Sequence, residues 1–176
     1  MIPEMTALTG YDPQIVINDV MQRNMTAIEY FLKNADHTAH KIPFEMSFNN
    51  REHLLLWINY QLVMQGKTEQ LRWMISQFGP FSDNHISVIF KTAIRNQKFP
   101  ILTMLCKIHK LDRGDVFLIS GEKNIIILNV LKAISILDGK LARHIFVSGR
   151  KLRNKIICGW LYTHFKNDVK NPFVVR

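Results

Sequence analysis

Between Ile58 and Phe78 an apolar run (Ile58, Leu62, Val63) stops at Gly66-Lys67, and a second run (Leu71, Trp73, Met74, Ile75) closes at Phe78-Gly79-Pro80. Spacings of three and four place each run on one face of a helix, and the glycine between them marks a turn. The segment predicts two short helices folded back on each other. Each has an apolar face that must be buried against a neighbour, so a chain repeating this unit is constrained to an array or bundle of helical hairpins.

The unit does recur. Val20-Met21-Gln22-Arg23-Asn24, followed by Ile28, Phe31 and Leu32, matches Val63-Met64-Gln65-Gly66-Lys67, followed by Leu71, Met74 and Ile75, at an offset of 43. Ala93-Ile94-Arg95-Asn96-Gln97, followed by Ile101, Met104 and Leu105, repeats it 30 residues further on. A shortened fourth copy reads as Ile136-Leu137-Asp138-Gly139-Lys140 with Ala142, Ile145 and Phe146. Local signals agree: Asp12-Pro13 offers a cap and a first-turn proline, Phe99-Pro100 a second such proline, and Asn50 a cap for a long helix over 51–65. The expected fold is all-α. It is one domain over 1–176, with hairpins at 12–34, 51–78, 83–109 and 122–147 and a basic capping helix at 150–166. Two stretches fit less well. Ile42, Phe44, Met46 and Phe48 alternate at period two, which suits a short extended segment, and Val116–Ile119 suits either a short helix or a strand.

An apolar helix, a small or polar break and a second helix with paired aliphatics resemble ankyrin-type repeats. In that family the second helix follows a Gly-His-like turn, and Gly66-Lys67 with Leu71 and Met74-Ile75 stands where those features fall. The family's Thr-Pro-Leu-His opening is missing from every copy, and the two offsets straddle its usual repeat of about 33 residues. The resemblance spans about Ile15 to Val147. It implies stacked hairpins that bind a protein partner, with no catalytic residues and no cofactor. Rim contacts would then fall at the turn residues Arg23, Lys67, Gln97 and Lys140. Divergent repeats of this kind also resemble those of viral and intracellular-bacterial host-interaction proteins.

Charge is unevenly distributed. Residues 1–50 carry three Lys or Arg against six Asp or Glu, and residues 51–176 carry 20 against 8, so the positive field belongs to the later part of the chain. Arg150, Lys151, Arg153 and Lys155 follow Ser148-Gly149 and read as the opening of the last helix, a candidate patch for nucleic acid or another anion. The plainer alternative is a solvated basic face. No aromatic residue is interleaved in the cluster, so backbone contact to a duplex is the better form of a nucleic-acid reading.

Met1 to Gln22 holds no Lys or Arg and reads as lacking a secretory signal, and no apolar run is long enough to span a bilayer. Cys106 and Cys158 sit inside apolar helical patterns and are expected to be buried thiols. Two lone thiols and no export signal predict an intracellular, reducing compartment, cytoplasmic or nuclear.

Enzyme signatures are sparse. There is no Gly-x-Gly-x-x-Gly, no phosphate loop, no Gly-x-Ser-x-Gly elbow and no His-Glu-x-x-His helix. His37 and His40 stand three apart beside Asp36, and a solvated loop is expected there in preference to a metal site. His53, His85, His109, His144 and His164 read as half-exposed helix residues. Cys106 and His109 have the helical spacing of a thiol and a base, but Leu105 and Ile108 beside them predict a core cysteine. Arg113-Gly114-Asp115 spells an adhesion tripeptide, expected to be coincidental. An enzyme reading would require two or more of His37, His40, His53, His85 and His109 to converge with a carboxylate in a pocket.

Overall fold

A computed structural model of the chain describes residues 12–43, 48–122 and 125–169. All regular structure among them is helical, as the apolar spacing predicts. Phe44 and Met46, half of the alternating pattern, lie outside the described residues; Ile42 and Phe48 are in irregular backbone, and a single 3₁₀ turn, His37–Ala39, occupies the preceding loop. The chain divides into two compact units, 1–92 and 93–176.

In the first unit α1 (Pro13–Met21) begins at the Asp12 cap and α2 (Met25–Asn34) at the Asn24 cap. The long helix α3 (Asn50–Gln65) is capped by Asn49, not by Asn50. Asn50 instead ties down the preceding loop, with its Oδ1 accepting from the His37 amide and its Nδ2 donating to the Ala35 carbonyl. Helix α3 buries every residue from Leu54 to Asn59, so it is enclosed on all sides, and α1, α2 and α4 (Thr68–Phe78) pack against it. Helix α5 (Asp83–Arg95) follows.

In the second unit come α6 (Phe99–Leu105), α7 (Arg113–Gly121), α8 (Ile126–Ala133), α9 (Gly139–Lys151), α10 (Lys155–His164) and the short α11 (Lys166–Val169). Val116–Ile119 is therefore helix. Helix α9 is the hub, with α7, α10 and α11 against it, and α6 packs on α8. Gly149 lets α10 approach: a side chain there would begin 3.1 Å from the Cys158 sulfur.

Among the described residues one turn is built four times. Arg23, Gly66, Gln97 and Arg153 have φ of 54°, 71°, 53° and 56°, the left-handed region. The amide after each donates back five residues, Asn24 to Asp19, Lys67 to Leu62, Lys98 to Ala93 and Asn154 to Gly149. That bond satisfies a carbonyl the helix end leaves open, and the donating residue is already the cap of the next helix, with ψ of 81°, 72°, 70° and 89°. The third copy is thus centred on Gln97, one residue beyond Asn96, the position aligned with Gly66. The fourth is not at Asp138-Gly139. Ser135, φ 59°, ends α8 with the same back-bond, Ile136 to Leu131, but three further residues precede α9, whose cap is Asp138. The turn's true fourth copy is Arg153-Asn154.

Only Gly66 adopts this backbone without a Cβ penalty. Gly66→Val is expected to cost about 1–2 kcal/mol, whereas Arg23→Gly, Gln97→Gly and Arg153→Gly should each stabilise by up to about 1 kcal/mol. Urea denaturation at constant m checks both signs.

Candidate functional site

The basic cluster is reorganised by that fourth turn. Ser148-Gly149 does not break the chain. It lies inside α9, whose last turn holds Arg150 and Lys151. Arg153 is the left-handed residue, and Lys155 is the first residue of α10. The expected single helix over 150–166 is two helices, because Leu152, Ile156 and Trp160 keep a helical spacing straight across a tight turn. The electrostatics change with it: Arg150 and Lys151 face the negative end of the α9 dipole, where positive charge is favourable, so they do not mark the positive helix start inferred from their order. All four cations are exposed.

Asn154 holds this turn in place. Its Oδ1 accepts from the Ile157 amide as the α10 cap, and its Nδ2 donates to the carbonyls of Ser120 at 2.9 Å and Glu122 at 2.7 Å, which the end of α7 leaves open. Together these bonds set an open groove of about 510 Å³ lined by Gly121, Glu122, Leu152, Asn154 and Ile156. Burial pushes the Glu122 carboxyl above the usual carboxylate range, opposed by the positive charge of Arg95. Burial likewise raises the Cys158 thiol, opposed by Arg150. Sequence reasoning missed the groove because Gly121 and Leu152 lie 31 residues apart and no motif joins them.

Of the rim residues, Arg23 and Gln97 are the exposed left-handed residues of their turns and Lys67 is the half-buried cap of α4. Lys140 is exposed in the first turn of α9 rather than in a connecting turn. Trp160 is buried, stacked on His164 at 4.1 Å with Lys132 Nζ 5.7 Å from its centroid, so it presents no free face for a base.

His40 and His85 are buried and the His109 side chain nearly so, whereas His37 and His53 are half-buried and His144 and His164 exposed. His40 is not solvated: its ring packs on Trp57 at 4.4 Å and Phe31 at 5.3 Å. Burial and then the nearby His53 lower its basicity, partly offset by Asp36. His53 Nε2 bonds the His40 carbonyl at 2.6 Å, and the His37 ring meets the His53 ring edge-on at 5.3 Å. His37 and His40 thus lie near Asp36 with His53 beside them, but that carboxylate accepts from the Thr38 amide and hydroxyl. Among the described residues no group of three or more His, Cys, Asp or Glu side chains is placed to hold a metal ion.

His85 is fully buried, stacked on Phe81 at 4.2 Å and bonded through Nε2 to Asn59 Nδ2 at 3.0 Å; burial lowers its pKa to about 4. His109 Nε2 lies 2.7 Å from Asp115 Oδ2, and the two side chains are 6% and 0% exposed. Asp115 also completes a reciprocal cap with Asp112. Its carboxylate is therefore sealed inside the start of α7, and Arg113-Gly114-Asp115 is not displayed as a tripeptide. Burial and that carboxylate push the Cys106 thiol up to about 11, so it stays protonated near neutral pH and is a poor nucleophile.

No helix among the described residues is long and apolar enough to cross a membrane. Comparison of the chain with protein-family models, with curated proteins and with solved structures found no match.

Proposed function

We propose that the chain is a non-enzymatic protein-interaction scaffold built from ankyrin-like helical hairpins. The observation that carries this reading is the fourfold turn. A left-handed residue followed directly by the next helix cap recurs with Arg, Gly and Gln at its centre, and its Gly66-Lys67 copy stands where the Gly-His-like turn of ankyrin repeats would fall. Recognition falls to the exposed turn residues Arg23 and Gln97, with Lys67 and Lys140, and to the Arg150, Lys151, Arg153 and Lys155 patch. The buried titratable groups support the same reading: Cys106, His85 and the side chains of the His109–Asp115 pair are packed in the interiors of their units. The setting is intracellular, where Cys106 and Cys158 remain thiols, and a viral or intracellular-bacterial host-interaction role fits such divergent repeats.

The alternative is nucleic-acid binding, favoured by four exposed cations within six residues. Titration with random duplex DNA at low and moderate salt separates the two. The scaffold reading expects weak binding with no steep salt slope. A slope of several units, abolished when Arg150, Lys151, Arg153 and Lys155 are changed to Glu, would replace it with the nucleic-acid reading.

A further inference from the structure

The groove at the end of α7 has properties that its role in folding does not require. Gly121 has no left-handed backbone, and a Cβ there would meet only the Leu152 side chain, at an ordinary 3.7 Å. Alanine would fit and would favour the helix. What glycine does at this position is leave the floor of the groove open. One helical turn earlier on the same face, Phe117 is 58% exposed, and across the floor Leu152 and Ile156 are 38% and 56% exposed. Exposed apolar side chains thus stand on α7 at Phe117, at Leu152 and on α10 at Ile156, with Gly121 open between them. Apolar side chains left in water beside a cleft are the pattern of a docking surface.

Charge indicates what docks. The lining residues Leu152, Asn154 and Ile156 alternate in sequence with Arg153 and Lys155, both exposed, and the positive charge of Arg95 also acts on Glu122. Among the described residues Glu122 is the only acid lining the groove, and burial already disfavours its charge. From these observations we infer that the groove binds an amphipathic acidic helix of a partner protein, with apolar anchors three and four residues apart seated between Phe117, Leu152 and Ile156 and with Asp or Glu beside Arg153 and Lys155. The inference rests on the scaffold reading and names the partner's chemistry. An open cleft of this size suits a row of side chains better than an enclosed small molecule.

Three 16-residue peptides test it by fluorescence anisotropy against the full chain: one with leucine anchors and Glu flanks, one with the same anchors and Lys flanks, and one with Glu flanks and Ser anchors. The first should bind, and the other two should each bind about tenfold or more weakly. Gly121→Leu, which fills the floor, should weaken the first peptide by about tenfold or more. Lys155→Glu should weaken it and improve the Lys-flanked peptide, with no loss of fold, since an acid at the first position of α10 suits the helix dipole. Equal binding of the Glu- and Lys-flanked peptides, no binding of the Glu-flanked one, or indifference to both variants overturns the inference. Binding that Gly121→Leu leaves intact while the Ser-anchored peptide fails would place the apolar contact elsewhere, overturning this site but sparing the scaffold reading. That reading falls separately, on the DNA titration.

Discussion

Changing Asp115 to alanine is expected to lower stability by about 2–4 kcal/mol, from a buried donor left without its acceptor together with a half-lost helix cap. Oδ2 accepts from His109 Nε2 at 2.7 Å and from the Asp112 amide at 2.9 Å, and the side chain has no exposure to solvent. Alanine retains the bond from its own amide to Asp112 Oδ1, so the cap is only half lost. The larger loss is at the imidazole, which remains buried without the acceptor it faces. Asp115→Asn keeps an acceptor in place and should cost clearly less. Cys106 provides a second readout: with the carboxylate gone, one of the two causes of its raised pKa disappears, so alkylation of the native thiol should quicken at a given alkaline pH. Equal stability of the alanine and asparagine variants in urea would show that the pair does not hold the start of α7.

Acidification is expected to have the next largest effect. The His85 pKa falls from 6.5 to about 4 on folding because its buried ring cannot be hydrated when charged. A depressed pKa means that the unfolded chain takes up the proton first. The stabilising contribution is therefore complete above pH 6.5 and is lost as pH falls towards 4. Linkage puts the loss at about 2 kcal/mol by pH 5 and about 3 kcal/mol once both states are protonated. His40, lowered for the same reason, acts in the same direction. Urea midpoints from pH 7.5 to 4.5 should slide downward, and the double change His85→Leu with Asn59→Leu should flatten much of the slope because it removes both partners of the buried bond. An unchanged slope in that variant would assign the acid sensitivity to other groups.

How much of this was readable beforehand depended on whether a residue type advertises its backbone. Asp12-Pro13 and Phe99-Pro100 started helices as expected, since proline fits a first turn and little else in a helix. Gly66 announced its turn because glycine is the residue that takes positive φ freely. Arg153 takes the same conformation without announcing it, and the apolar spacing continues through the turn, so two helices read as one. The caps were similarly ambiguous at Asn49 and Asn50, where adjacent residues of one type compete for one role and tertiary contacts to Ala35 and His37 decide. The buried polar groups were least visible. His85 depends on a partner 26 residues away, and His109 on a carboxylate beyond a loop, so local polarity alone read both as half-exposed.

The short turn also bears on how quickly the chain folds. Each copy joins its helices through two or three residues, the left-handed one and the following cap among them, so the helix ends are brought together with little loop to close. Contacts so near in sequence form early, and chains rich in them reach the native state in microseconds to milliseconds. The pairs α1–α2, α3–α4 and α9–α10 are thus the natural first structures of their units. Arg23, Gln97 and Arg153 then bear on rate as well as stability: wherever a turn is formed in the transition state, relieving its backbone strain speeds folding, and wherever it forms later, the same change slows unfolding.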